Sequence, residues 1–259
     1  MGDSDQNRTE DEIERLRQAL DAETRARLEV QRQLDRAGAE FEEFVSMAAH
    51  NLRESLRDVA SFSQLMAETY AARLDSDAGV FLDRIQQGAA RAQSLLADVV
   101  DYWAIGTWDR QPSNADMEAV LRQALLSMDK PITERSAMVT HDPLPRVRGD
   151  FEILTKVLRH LIGNAIEYCG TPAPRVHISC RREGLEWRFS VEDNGPGIDT
   201  AFHGRIFGAF KRLHGNEHPG NGLGLAFCKK AIEWHGGRMW MESAPAAGST
   251  FYFSLPPAD

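Results

Sequence analysis

The chain has 259 residues, 42% hydrophobic and 27% charged, with a formal net charge of −9 at pH 7, an ordinary balance for a globular protein of one or two domains. The acidic balance argues against general nucleic-acid binding, which relies on neutralising phosphates, and no apolar run approaches the ~20 residues of a membrane-spanning helix. Three scattered cysteines, Cys169, Cys180 and Cys228, form no C-x-x-C pair and read as reduced thiols; with no secretory signal after Met1, they point to a cytoplasmic protein.

From Ile13 a heptad pattern sets in. Its a positions are Ile13, Leu20, Arg27, Leu34, Phe41 and Ala48, and its d positions are Leu16, Glu23, Val30, Ala37 and Phe44. All but Arg27 and Glu23 are apolar, which is a coiled-coil signature. The helical pattern continues through Met47, Leu52, Leu56, Val59, Phe62 and Met66 to Tyr70. Asp75 to Gly79 reads as a break. A second amphipathic helix follows, with Val80, Leu82, Ile85, Ala89, Ala92, Leu95, Leu96, Val99, Val100 and Trp103 on its apolar side. Two such helices make a hairpin. One hairpin covers only part of its own apolar stripe, and two hairpins pairing into a four-helix bundle would complete the burial. A homodimer is therefore expected.

Gly106 to Asn114 carries Gly, Pro, Ser and Asn and reads as a linker. Beyond it the texture becomes mixed α and β. Helices are expected over Met117–Met128, Phe151–Tyr168 and Leu223–His235. Strands are expected over Ala137–His141, Pro145–Arg148, Arg175–Arg182, Glu186–Val191, Arg238–Glu242 and Thr250–Leu255. The boundaries become 1–40 for an N-terminal coiled coil, 41–107 for the hairpin, 108–116 for a linker and 117–259 for an α/β sandwich. The fold class is thus α plus α/β.

Two glycine motifs carry the chemistry. Asp193-Asn194-Gly195-Pro196-Gly197-Ile198 follows an apolar strand, and Gly220-Asn221-Gly222-Leu223-Gly224-Leu225 opens a helix. Glycine lets backbone N–H groups approach an anion and tolerates positive φ. A glycine entry to a helix N-terminus suits phosphate. The Asp193 carboxylate suits an amino group such as that of adenine. Upstream, Leu161-Ile162-Gly163-Asn164-Ala165 offers an amide oxygen for Mg²⁺ among phosphate oxygens and waters. Tyr168, at i+4 from Asn164, shares its helix face.

An Asn box, D-x-G-x-G, G-x-G-x-G and a closing Gly248-Ser249-Thr250-Phe251 occur here in that order. Together they resemble the ATP-binding fold of sensor histidine kinases, type II topoisomerases and heat-shock chaperone ATPases. The hairpin separates these branches. Phe44 to Arg57 reads F-V-S-M-A-A-H-N-L-R-E-S-L-R and resembles the phospho-accepting helix of sensor histidine kinases, above all the phytochrome-type H-D-L-Q-E-P-L-R. Ile206 to His214 resembles that family's F box. The resemblance covers about residues 41 to 255.

The resemblance implies ATP and Mg²⁺ as ligand and cofactor, with Asn164 as the metal ligand. Around the nucleotide it implies Tyr168, Asp193, Gly195, Gly197, Ile198, Phe207, Lys211, Arg212, Gly220, Gly222, Leu223, Gly224, Leu225 and Thr250. It implies autophosphorylation of His50, with Asn51 and Glu54 beside it, and transfer to an aspartate in a response-regulator receiver domain. Lys211 to Pro219 would be a lid over the nucleotide. Its His214 and His218 lack a third ligand and read as polar loop residues rather than a metal site. No sensory domain is legible in residues 1–40, so the signal comes from an upstream domain or another protein.

The sequence also departs from the pattern. If Ala48, Leu52, Leu56 and Val59 face the core, His50 points outward, as a nucleophile should. Yet Asn51 stands where the family has an acid, and an amide cannot take the imidazole proton. Glu54, one turn on, is a substitute base. Ser55 stands for a proline, His160 for an asparagine, Glu167 for a Lys or Arg and Asn221 for a Thr. The Asn51 exchange leaves two alternatives: an active kinase, or a degenerate one serving as a response-regulator phosphatase or ATP-binding scaffold. A plain ATPase of the same superfamily is a further rival, which the hairpin argues against.

Overall fold

The computed structural model describes residues 3–70, 73–106, 112–170, 173–211 and 221–258, without the side chains of 3–16, 18, 19, 34, 35, 42 and 76. The chain divides into two compact units, Met1–Asn51 and Leu52–Asp259. Helix α1 runs Asp3–Tyr70 and helix α2 Ser76–Ala104. Among the described residues no helix is long and apolar enough to cross a membrane.

In the first unit the heptad expectation meets an open seam. Leu20, Val30 and Phe44 are exposed. The two polar core positions answer each other, with Arg27 Nη2 donating to Glu23 Oε1 at 2.8 Å. Ile13, Leu16 and Leu34 lie outside the described side chains.

The hairpin turn differs from the expected break. Asp75 caps α2, its Oδ1 accepting the Ala78 N–H at 2.8 Å, so residues 76–79 are already the first turn of a helix. The packed face of α1 also differs. Leu52 and Val59 are exposed at 54% and 46%, whereas Leu56, Ala60, Ser63 and Ala67 are buried or half-buried. Small side chains line that face, which lets a neighbouring helix approach closely. A second apolar stripe, with Phe62, Leu65 and Met66 on α1 and Val80, Phe81 and Ile85 on α2, is left exposed.

The α/β layer follows. Its strands are β1 Ser113–Asp116, β2 Met138–His141, β3 Arg146–Gly149, β4 Arg175–Glu183, β5 Glu186–Asp193, β6 Met239–Ser243 and β7 Ser249–Leu255. Its helices are α3 Met117–Leu126, α4 Asp129–Glu134, α5 Phe151–Tyr168 and α6 Gly224–Trp234. Five strands form one sheet in the order β2-β4-β5-β7-β6, with β2 parallel to β4 and the other pairs antiparallel. Strand β1 lies within the stretch expected as linker and pairs antiparallel with β3. Helix α4 was not expected either.

Period-2 alternation orients the sheet. Phe189 and Val191 on β5 and Phe251 and Phe253 on β7 are buried on the helix-covered face. Phe189 stacks on its register partner Phe253 at 4.8 Å. Leu154, Leu158, Leu161 and Ile162 of α5 meet Val120 and Leu121 of α3 and Phe227 and Ile232 of α6 in the same core. Each such fully buried side chain contributes roughly 1.5–3 kcal/mol. This core fixes α5 and the β5 and β7 termini, the elements that carry the motifs.

Candidate functional site

Helix α5 starts at a well-made cap. Asp150 Oδ1 accepts the Ile153 N–H at 2.9 Å, and the Asp150 N–H donates to His235 Nε2 at 2.8 Å. The imidazole is held from its other side by an Nδ1 contact to the Ala231 carbonyl at 2.7 Å. Burial pushes the His235 pKa down. The cap sets the rotation of α5, so that His160, Asn164, Glu167 and Tyr168 line one cavity of about 300 Å³.

The first glycine motif forms the floor. Asp193 ends β5, and its Oδ1 accepts the Gly195 N–H at 2.8 Å and the Ser249 N–H at 3.2 Å. Burial raises the Asp193 pKa, and these two backbone bonds oppose the rise. Gly197 has φ +73°, and a Cβ there would sit 1.9 Å from the Ala244 oxygen. The loop is stitched to the segment beside it by Ala246 N–H to the Pro196 carbonyl at 2.7 Å and Ile198 N–H to Ser243 Oγ at 2.8 Å. Only glycine permits that approach.

The second motif forms the opposite end. Gly222 has φ +69° and packs against the backbone of Phe210 and Lys211. Helix α6 then begins at Gly224, and Leu223 gives it no side-chain cap bond. Gly222, Gly224 and Leu225 line the cavity there. Uncapped N–H groups at a helix start, with the positive end of its dipole, suit an anion.

Asn164, Tyr168, Asp193, Gly197, Ile198, Lys211, Gly222, Gly224 and Leu225 all line the cavity. Other expected residues do not. Gly195 acts behind it, through its N–H on Asp193. Phe207 packs on the core, and Leu223 is buried at 2% exposure. Thr250 is a correction: the alternation of β7 sends its neighbours Ser249 and Phe251 to the cavity instead. Arg212, Gly220, His214 and His218 lie outside the described residues. His50 and Asn51 are exposed on α1 in the first unit, and Glu54 is exposed in the second.

Several lining residues were not anticipated as site residues: Asp98, Arg159, Phe202 and Arg205 among them. His160 and Glu167 were noted only as departures. The ring of His160 lies 5.2 Å from that of Phe227. Burial lowers the His160 pKa to about 4, with Arg159 adding to the effect, so the ring is neutral near pH 7. Asp98 comes from α2, and no local motif marked it.

The cavity joins an amine-seeking carboxylate to a glycine-framed helix start. Asn164 adds an amide oxygen and Glu167 a carboxylate, three residues apart on α5. These are hard oxygen donors, which suit Mg²⁺.

Residues 149–259 match the family described as histidine kinase-, DNA gyrase B- and HSP90-like ATPase. The chain is 42% identical to cyanobacterial phytochrome A of Nostoc sp. (strain PCC 7120 / SAG 25.82 / UTEX 2576) over 224 residues, covering 86% of this chain and 29% of the relative. The likeness is to the sensor histidine kinases. It is 39% identical to the phytochrome-like protein Cph1 of Synechocystis sp. (strain ATCC 27184 / PCC 6803 / Kazusa), over 87% of this chain and 30% of that protein. ShkA, solved at full length in complex with AMPPNP, superposes with a TM-score of 0.67 at 27% identity. That match covers 83% of this chain and 46% of ShkA. The chain therefore spans less than a third of the length of the two phytochrome relatives.

Proposed function

We propose that the chain is the output part of a two-component sensor kinase, moving a phosphoryl group from ATP to His50 and then to a response-regulator aspartate. The observation that carries this reading is the single cavity that joins Asp193, Asn164 and the uncapped start of α6. Asp193 Oδ1 is engaged by backbone N–H groups, which leaves Oδ2 to accept a bond from the adenine amino group. The N–H groups around Gly222 and Gly224 hold the phosphates. Asn164 and Glu167 would hold Mg²⁺, which supplies charge neutralisation between the phosphoryl oxygens.

The chain's own part in the reaction is positioning. An imidazole nitrogen of His50 attacks the γ-phosphorus. The bond to the β-bridging oxygen breaks, and ADP leaves. The imidazole proton passes to a base. His50 is exposed, which suits a group that meets ATP first and a receiver-domain carboxylate second. The exposed stripe of Phe62, Leu65, Met66, Val80, Phe81 and Ile85 supports pairing of two hairpins into a homodimer. The signal enters along α1 from an upstream sensory domain or protein.

Asn51 favours a second reading. The neighbouring residue is an amide and cannot be the base, so the chain serves instead as a phosphatase or an ATP-binding scaffold for a response regulator. Incubation with γ-labelled ATP decides between them, using the wild type, Asn51→Asp and His50→Ala. The kinase reading expects wild-type label that is lost in His50→Ala and rises roughly 10²-fold in rate in Asn51→Asp. Label appearing only in Asn51→Asp would establish the degenerate reading. Phosphate release with no phosphoprotein in any variant would make the chain a plain ATPase.

A further inference from the structure

Asp98 belongs to α2 of the hairpin, yet its side chain lines the cavity of the α/β layer. It accepts a hydrogen bond from Asn221 Nδ2 at 2.8 Å, and Asn221 also reaches Ser94 Oγ at 3.4 Å. Asn221 directly precedes Gly222, so Asp98 sits at the glycine-motif end of the cavity and not at the Asp193 floor.

Other contacts hold α2 there without Asp98. Lys156 Nζ lies 2.6 Å from Asp101 Oδ1. Lys230 Nζ donates to the Tyr102 carbonyl at 2.9 Å and stands over the rings of Tyr102 and Trp103 at 4.8 and 5.5 Å. Ile105 is buried in the shared core. The position of Asp98 is thus imposed by the residues that follow it on α2. The charges that act on it are Asp101, Arg159 and Lys156. Burial also disfavours its charged form, against the Asn221 bond.

We infer that Asp98 makes the site count phosphates: with α2 docked, the cavity favours a nucleoside diphosphate over the triphosphate. This rests on the nucleotide reading of the cavity. A triphosphate carries one more negative charge than a diphosphate, and that charge is on the group reaching furthest along the glycine-motif end. A carboxylate at that end repels it in a partly desolvated setting. The first two phosphates, against the start of α6, are further from the repulsion. Docked α2 then retains ADP, and triphosphate binding is coupled to release of α2, because moving Asp98 away requires breaking its bond to Asn221.

Calorimetric titration of the full chain with Mg²⁺-ATP and Mg²⁺-ADP tests this, with Asp98→Asn and Asp98→Ser as variants. The asparagine oxygen still accepts from Asn221, so the contact survives and only the charge is lost. The serine variant covers the case that the amide misfolds, and melting temperatures check both. Wild type should bind ADP more tightly than ATP. Either variant should tighten ATP about tenfold and leave ADP within about twofold. Asp101→Asn, which loosens docking while keeping the Asp98 charge, should also shift the ratio toward ATP. An unchanged ratio in the Asp98 variants overturns the inference and leaves the nucleotide reading standing. Weaker Mg²⁺-ATP binding in Asp98→Asn also overturns it, by making Asp98 a metal ligand. If wild type binds neither nucleotide, both readings fall.

Discussion

Replacing Gly197 by alanine tests how far the nucleotide floor depends on close backbone approach. The φ of +73° costs an L-residue about 1–2 kcal/mol. The new Cβ would lie 1.9 Å from the Ala244 oxygen and 2.7 Å from its carbon. Cβ atoms essentially never come within 3.0 Å of such an atom, so the two segments must part by at least about 1 Å. Parting strains or breaks two bonds, Ala246 N–H to Pro196 O and Ile198 N–H to Ser243 Oγ, at about 1 kcal/mol each. The sum is roughly 3–4 kcal/mol. For an α/β unit of this size that corresponds to a fall in Tm of about 6–16 °C. Two controls separate the causes. Gly184 has φ +62° with open space around it, so Gly184→Ala carries the backbone cost alone. Gly195→Ala would place a Cβ 2.8 Å from Asp193 Oδ1 and should weaken nucleotide binding with a smaller loss of Tm. Melting curves and titration with a fluorescent ATP analogue give both readings. Equal Tm losses for Gly197→Ala and Gly184→Ala would refute the reasoning from close approach.

Stability should fall with pH through the histidines. His160 is depressed to about 4 and His235 is also lowered, both chiefly by burial. Each contribution is fully present above the ordinary value near 6.5 and is lost as pH falls toward the depressed pKa. Urea midpoints should therefore drop from pH 7 to pH 4.5, and His160→Asn should flatten the part due to that residue, no more than about 3 kcal/mol. Removing the Lys156–Asp101 pair by Lys156→Met should cost about 1 kcal/mol, since both side chains are only partly buried; denaturant midpoints measure it. Phe62→Glu with Phe81→Glu should convert a dimer into monomers in analytical ultracentrifugation, and an unchanged mass would show that this stripe is not the pairing face.

Much of the site could be read from the sequence because its residues are locally constrained. The bounds Phe151–Tyr168 coincide with α5, where an Asp150 cap and a strong apolar period agree. Gly197 and Gly222 each adopt positive φ and pack directly against backbone atoms, as the motifs require. Strand β1 was missed because Ser113-Asn114-Ala115-Asp116 has turn-like composition and buries only Ala115 on that strand. Its strand state comes from pairing with β3, which no local pattern announces. Asp98 was missed for the same kind of reason, since it reaches the cavity from a helix more than 60 residues before Asn164. Leu52 and Val59, expected to face the core, are exposed in the single chain, where α1 turns Leu56, Ala60 and Ser63 inward instead. Period alone does not say which stripe meets which neighbour.

The hydrogen bond between Asp193 and the Ser249 N–H spans 56 residues of sequence. The carboxylate proposed to read the base is thus oriented by the first residue of β7. During synthesis β5 and its aspartate emerge long before that strand does. Until β7 pairs, Asp193 lacks one of its two orienting donors, and Phe251 is missing from the cavity wall. Pairings so distant in sequence form slowly, and the Asp193 end of the cavity is complete only once β7 has paired. Loss of β7 would remove the Ser249 donor and Phe251 from the cavity together with Phe253 and Leu255 from the core that carries α5.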